Sequence, residues 1–260
     1  MILQKSFFQF FKRRPARRFQ IYCVGAAKTG TTTVAEMFKD SYRAEHEPET
    51  EPTNQFVIDY LERKIDTGSG EKILLTRDRR LNLELESAHP LGYASGMLAG
   101  LFPEAKFIIT LREPYSWLES RLNYHYQKNP PAWRSYREYF WTDRQQGYPE
   151  EEAILAKHEL CSLDVYLAQY ADHYRRVLSS VPENRRLVVK THELEERLPA
   201  IAEFAGIPHD TLQVSHGKRS PSKIQPLKVM NPRYTREKIW RHCSEIITEF
   251  FPETVREYIP

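Results

Sequence analysis

Between Gly25 and Thr33 the chain gathers two glycines, one lysine and a row of hydroxyls, in the order G-A-A-K-T-G-T-T-T. Glycine lets a backbone approach a ligand closely, while Lys28 and the threonine hydroxyls add donors. Phe19 to Val24 is a short apolar run with the composition of a buried strand, and from Val34 the apolar residues recur at Met37 and Phe38 with helical spacing. A strand that feeds such a turn into a helix makes an anion cradle, because the first helical N–H groups and the helix dipole both favour negative charge. The nucleotide-triphosphate loop G-x-x-x-x-G-K-[ST] fits at Gly25, Gly30 and Thr32, but Thr31 stands where its lysine belongs. A glycine turn without a ligand is the alternative.

The only lysine of the loop lies two residues before the second glycine. That order, K-T-G-T-T, resembles the K-x-G-T-T loop of the sulfotransferases that take 3′-phosphoadenosine-5′-phosphosulfate (PAPS) as sulfuryl donor. Lys106 to Leu111 (K-F-I-I-T-L) predicts a strong strand, with Arg112 at its end, Pro114 two residues on and Ser120 eight residues on. A strand ending in R-x-P with a serine at that distance resembles the second signature of the same family. A guanidinium fork and a hydroxyl also suit a phosphate chemically.

The resemblance covers nearly the whole chain from Phe19. It implies a three-layer α/β domain, P-loop NTPase-like, with a central, mainly parallel sheet and helices on both faces. It also implies transfer of the sulfuryl group to a hydroxyl or amine of a glycan, glycolipid or small-molecule acceptor, with PAPS as co-substrate. Lys28, Thr29, Gly30, Thr31 and Thr32 then hold the 5′-phosphosulfate end, and Arg112 and Ser120 the 3′-phosphate. A basic glycine loop that closes over that phosphate falls at Gly217, Lys218 and Arg219, although the family's R-K-G order is missing. T-H-E-L, from Thr191, resembles the family's Y-E-D-L segment with threonine in place of the tyrosine.

Two residues compete as the base. Tyr42 to Glu49 reads Y-R-A-E-H-E-P-E, and alternation in an extended segment puts Glu45 and Glu47 on one side and His46 on the other. Glu47 matches the second glutamate of the E-x-E pattern in the glycan-modifying sulfotransferases. His89, in S-A-H-P, resembles the histidine of the K-T-H-x-P segment of the cytosolic members, with Ser87 in place of the lysine. A neutral imidazole suits general-base work near pH 7, and this favours His89 slightly. An acidic surface turn before Pro48 and a histidine that caps the turn before Pro90 are the structural alternatives.

The elements that must carry these groups follow from periodicity. Helices are expected over 53–64, 93–101, 150–180 and 235–251, and strands at Lys72 to Thr76 and Arg186 to Lys190. Asp66 to Glu71 reads as a loop, and Asn82 to His89 as an extended approach to the site. Trp117 to Tyr148 is crowded with aromatics (Tyr124, Trp133, Tyr136 and Trp141 among them) interleaved with Arg121, Arg134 and Arg137. It suits an acceptor-binding lid, or equally helix packing.

Length and composition exclude other classes. A chain of 260 residues, 40% hydrophobic and 28% charged, is ordinary for a globular domain. The formal net charge of +3 gives no support for a nucleic-acid partner. Three separated cysteines argue against a disulfide framework and suit a reducing, cytoplasmic setting; the nine histidines show no metal-binding spacing, so no metal is expected. Residues 1–18 read as a basic aromatic arm before a 19–260 domain. Phe7, Phe8, Phe10 and Phe11 beside five basic residues suit an anionic membrane surface, or an arm that packs back or stays solvated. A P-loop nucleotide kinase and a non-catalytic membrane- or nucleic-acid-binding protein are the competing functional classes.

Overall fold

The apolar run before the glycine turn pairs on both sides, as a buried strand must. The structure is a computed structural model and describes residues 15–128, 130–213 and 224–259. The first half contains β1 (Ile21–Cys23), α1 (Thr31–Phe38), β2 (Ala44–His46), α2 (Thr50–Leu61), α3 (Thr67–Leu81), β3 (Leu85–Ser87) and α4 (Ser95–Leu101). The centre adds β4 (Lys106–Leu111), α5 (Pro114–Gln127), α6 (Arg134–Phe140), α7 (Ala153–Lys157) and α8 (Leu163–Ser180). β5 (Arg186–Lys190), α9 (Leu198–Ala205), α10 (Pro226–Val229), α11 (Pro232–Phe250) and α12 (Val255–Tyr258) complete it.

The five strands form one sheet in the order β2-β3-β1-β4-β5, parallel at every pairing. Side-chain alternation divides the strands between two cores. Tyr22, Phe107, Ile109 and Leu111 pack with α4, α5, α8 and α11, whereas Ile21, Cys23, Leu85, Ile108 and Val189 pack with α1 and α9. A sheet covered on both faces explains why β1 and β4 read as unbroken apolar runs. Helices therefore flank a parallel sheet on both sides, as the resemblance implies.

α8 does more than cover the sheet. Tyr170, His173 and Tyr174 share one face of that helix and bond to carbonyls at or just past the C-terminal ends of β1 and β4. Tyr170 donates to Arg112 O at 2.6 Å, Tyr174 to Thr110 O at 2.7 Å, and His173 Nε2 to Val24 O at 2.8 Å. Burial pulls the His173 pKa down to about 4, so the ring is a neutral donor at this bond. These three bonds fix the sheet edge at which ligands of parallel α/β folds bind.

Several expected elements differ. Lys72 to Thr76 is not a strand, and Asp66 to Glu71 is not a loop. Asp66 caps α3 by accepting from Ser69 N at 2.9 Å, and the helix buries Gly70, Leu74 and Arg77 on one stripe. A five-residue apolar run cannot by itself separate strand from helix. The helix expected over 150–180 is broken: Glu159 takes a positive φ of 54°, and α8 starts at Leu163, whose N–H donates to buried Glu152 at 2.9 Å. The expected helix over 93–101 begins as a 3₁₀ turn, His89–Ala94. Of the N-terminal arm, Met1 to Arg14 lies outside the described residues. Arg17 and Arg18 pair with Asp78 at 2.8 Å and Glu84 at 2.8 Å.

Candidate active site

The glycine turn is held from four directions. A Cβ on Gly25 would lie 2.0 Å from Thr110 Oγ1, so only glycine lets the end of β1 pass this close to β4. Thr29 is fully buried and turns its hydroxyl inward, 2.6 Å from Ala26 O and 2.7 Å from Thr110 Oγ1. Trp117 Nε1 donates to Ala27 O at 2.9 Å, and Thr191 Oγ1 to Thr29 O at 2.7 Å and Leu111 O at 3.1 Å. Thr191 thus has a structural task at the position where the family has its tyrosine. Lys28 and Gly30 take positive φ values of 72° and 101°. For a lysine that conformation is uncommon, and these four ties over-determine it. Gly30 precedes the first turn of α1, which carries no acidic residue.

A second turn meets the first. Glu47 follows β2 with a φ of 51°, which breaks the alternation expected for this segment. Glu45 is exposed, while His46 and Glu47 both line the cleft beside Thr31 and Thr32. His46 thus faces away from Glu45 as alternation predicts, and the expected pairing of Glu47 with Glu45 on one side is corrected: Glu47 turns to the His46 side. His46 Nε2 lies 3.2 Å from both Thr31 Oγ1 and Thr32 Oγ1. Glu47 N donates to Ser87 O at 2.8 Å, and buried Arg77 holds Pro48 O at 2.9 Å while it pairs with Glu86 at 2.6 Å. β3 and α3 thereby set the position of the Glu47 turn.

The two competing bases touch. His89 Nδ1 lies 2.7 Å from Glu47 Oε1. The His89 ring stacks on Trp133 at 4.8 Å and meets the edge of Tyr136 at 5.2 Å. Its Nε2 is buried without a hydrogen-bond partner among the described residues. Burial pushes the His89 pKa below the usual imidazole range against the opposing pull of Glu47. Burial pushes Glu47 up, but the His89 hydrogen bond and the neighbouring positive groups outweigh it, so the net shift is downward. We take the pair as a carboxylate accepting from a neutral imidazole at Nδ1–H; this proton placement is the one consistent with both directions. Glu47 keeps 19% of its side chain exposed and His89 only 4%.

These turns open on one cavity of about 180 Å³. Lys28, Thr31, Thr32, Glu47 and His89 line it on the sheet side, and Arg121, Tyr124, Trp133, Tyr136 and Arg137 from α5, α6 and the segment between them complete it. The aromatic stretch divides between packing and cavity lining. Trp117 and Phe140 are core, whereas Tyr124 and Trp133 are cleft wall. Lys28 Nζ sits 5.1 Å from the centre of the Tyr124 ring. Burial lowers its pKa first, and the positive charges of Arg121, Arg112 and Lys128 lower it further. A loop so short of negative charge suits an anionic ligand.

Arg112 leaves β4 beside the glycine turn, since β1 and β4 are paired neighbours. It is half-buried, and its Nε lies 3.2 Å from Ser116 Oγ. Glu113 caps α5 through Tyr115 N and Ser116 N at 2.9 and 2.8 Å, and Ser120 is half-buried on that helix. Gly217, Lys218 and Arg219 lie outside the described residues. Lys128 and the inward-facing His46 are cleft residues that the motifs did not indicate.

A parallel α/β sheet with a lysine-bearing glycine turn at the C-terminal end of β1 has a P-loop-like architecture. The chain belongs to the sulfotransferase domain family, whose model matches residues 20–198, and is an enzyme of that activity. The family generally uses PAPS as donor. Solved structures similar to this chain include a sulfotransferase from Alicyclobacillus acidocaldarius, at 19% identity and a TM-score of 0.45, covering 94% of this chain and 95% of that one. The sulfotransferase domain from the curacin biosynthetic pathway aligns at 15% identity and 0.44, over 89% and 98%. The sulfotransferase domain from the Synechococcus PCC 7002 olefin synthase aligns at 14% and 0.42, over 85% and 84%. No curated protein matches the chain. No helix among the described residues is long and apolar enough to cross a membrane.

Proposed function

We propose that this cleft moves the sulfuryl group of PAPS to a hydroxyl, or amine, of a small-molecule or carbohydrate acceptor. The observation that carries the reading is the 2.7 Å Glu47–His89 pair on the same cavity as Lys28, Thr31 and Thr32. A proton acceptor and an anion cradle then share one cleft. In the reaction a bond forms between the acceptor oxygen and sulfur, and the bond from sulfur to the 5′-phosphate oxygen breaks. The acceptor's proton goes to Glu47, and 3′-phosphoadenosine 5′-phosphate leaves.

Glu47 is preferred over His89 as the group that meets the acceptor, because 19% of its side chain is exposed whereas His89 is 4% exposed and its Nε2 is buried. His89 orients that carboxylate and keeps it ionised. Lys28 and the amides from Thr29 to Thr32 stabilise the charge that builds on the leaving phosphate. Arg112 and Ser120 bind the 3′-phosphate, and the family resemblance offers Gly217, Lys218 and Arg219 for the same group. The test is incubation with ³⁵S-labelled PAPS and a panel of phenols, sugars and glycolipids. The reading expects label in a product and one 3′-phosphoadenosine 5′-phosphate released per transfer. Turnover of ATP in magnesium, with PAPS left intact, would favour the kinase reading.

A further inference from the structure

Arg121 has no place in the donor scheme above. It lies on α5 directly after Ser120, is only 5% exposed and lines the cleft. Its Nε is buried without a hydrogen-bond partner, and its guanidinium carbon sits 4.7 Å from the Trp141 ring and 5.6 Å from the Tyr124 ring. Among the described residues no carboxylate pairs with it. The rest of the chain (1–14, 129, 214–223 and 260) contains no Asp or Glu that could do so. A buried guanidinium cannot shed its proton and is costly without an anion. Arg77 shows the structural solution in this same protein: it is as deeply buried and bonds Glu86 at 2.6 Å.

The surroundings point the same way. Lys28, Arg121, Lys128 and Arg137 line the cavity against a single carboxylate, Glu47. Lys28 belongs to the glycine turn. The other three cations come from α5, α6 and the segment between, the stretch that also supplies Tyr124 and Trp133 to the wall. We propose that the acceptor is itself anionic: it carries a carboxylate, sulfate or phosphate group that Arg121 binds through its planar fork while its hydroxyl meets Glu47. This rests on the PAPS-dependent reading, whose donor phosphates are already accounted for by the glycine turn and by Arg112 and Ser120. The other anion within reach of this argument is the donor's own sulfuryl group.

Calorimetry separates these cases. The protein, saturated with 3′-phosphoadenosine 5′-phosphate, is titrated with matched pairs: 4-hydroxybenzoate with 4-hydroxybenzamide, galactose 6-sulfate with galactose, and glucose 6-phosphate with glucose. The charged member of at least one pair is expected to bind tenfold or more tightly in the wild type. Arg121→Gln should abolish that preference and Arg121→Lys should keep part of it, while affinities for PAPS and for its desulfated product change less than threefold. The wild-type comparison stands even if a variant fails to fold. Lack of any charge preference in the wild type, including no binding of either member, overturns the proposal, as does a preference that survives Arg121→Gln. A tenfold loss of PAPS affinity in Arg121→Gln, with the desulfated nucleotide still bound, reassigns Arg121 to the donor. Failure of the wild type to bind the desulfated nucleotide at all would instead sink the underlying PAPS reading.

Discussion

Replacing Glu47 with glutamine removes one charge and one proton acceptor and leaves the turn intact. The backbone there is held by Glu47 N to Ser87 O at 2.8 Å and by Arg77 to Pro48 O at 2.9 Å, neither of which uses the carboxylate. The glutamine carbonyl can still accept from His89 Nδ1, so the variant loses basicity and keeps the contact. A positioned general base contributes roughly 10²- to 10⁴-fold. Glu47→Gln should therefore slow single-turnover transfer by about that factor, equivalent to about 3–5 kcal/mol on the barrier. Quenched-flow measurement of desulfated nucleotide at saturating PAPS and acceptor reads this directly. His89→Gln, which only loosens the carboxylate, should cost about tenfold. It should also shift the pH profile. His89 is what holds Glu47 below the usual carboxylate range against burial. The wild-type acid limb should lie below pH 4.5, and removal of His89 should move it upward. If Glu47→Gln keeps more than a tenth of the rate while His89→Gln loses a thousandfold, the imidazole is the base and the accessibility argument fails.

Further tests address the donor, the loop and the N-terminal docking. Arg112→Ala should weaken 3′-phosphoadenosine 5′-phosphate binding by about 10- to 100-fold, the worth of a charge-assisted bond, with little change for 5′-AMP; equal losses for both nucleotides would remove the arginine from the 3′-phosphate. Gly25→Ala places a methyl 2.0 Å from Thr110 Oγ1 and should cost about 3 kcal/mol or more, seen as a lowered Tm together with lost nucleotide binding. Arg18 and Arg43 outweigh the upward push of burial on Glu84 and bring its pKa from 4.5 to about 2. A depressed carboxylate adds stability above its unfolded value and loses it as pH falls through the folded one. Glu84→Gln should thus cost about 2 kcal/mol at pH 7, allowing for screening around half-exposed Arg18, and the gap to wild type should close between pH 4.5 and 2 in urea titrations.

The frame of the fold was legible because the central strands β1 and β4 are buried on both faces, which leaves a plain mark. Phe19 to Val24, Lys106 to Leu111 and Arg186 to Lys190 are all strands or contain one, and the turn at Gly25 to Gly30 stands between strand and helix as its residues imply. Short-range ambiguity hid α3, since K-I-L-L-T has too few residues to show a period and the Asp66 cap lies outside it. The direction of Glu47 was hidden because it depends on that residue's own left-handed backbone, of which a glutamate gives little warning. Contact between Glu47 and His89 lay beyond reach, since it is made by the parallel pairing of β2 with β3 and by the turns that follow each strand. Arg121 looked like one more basic residue in an aromatic stretch. Its isolation is a property of the packed cleft, and pattern cannot show a missing partner.

The central claim is that this cleft is built for an adenosine nucleotide phosphorylated at both the 3′ and 5′ positions. Parallel calorimetric titrations of the wild-type protein with 3′-phosphoadenosine 5′-phosphate, 5′-AMP and ATP in magnesium test it most directly. The account predicts that the 3′,5′-bisphosphate binds at least tenfold more tightly than 5′-AMP, with ATP no better than 5′-AMP. Equal affinity for the bisphosphate and 5′-AMP, or a preference for magnesium ATP, would contradict it.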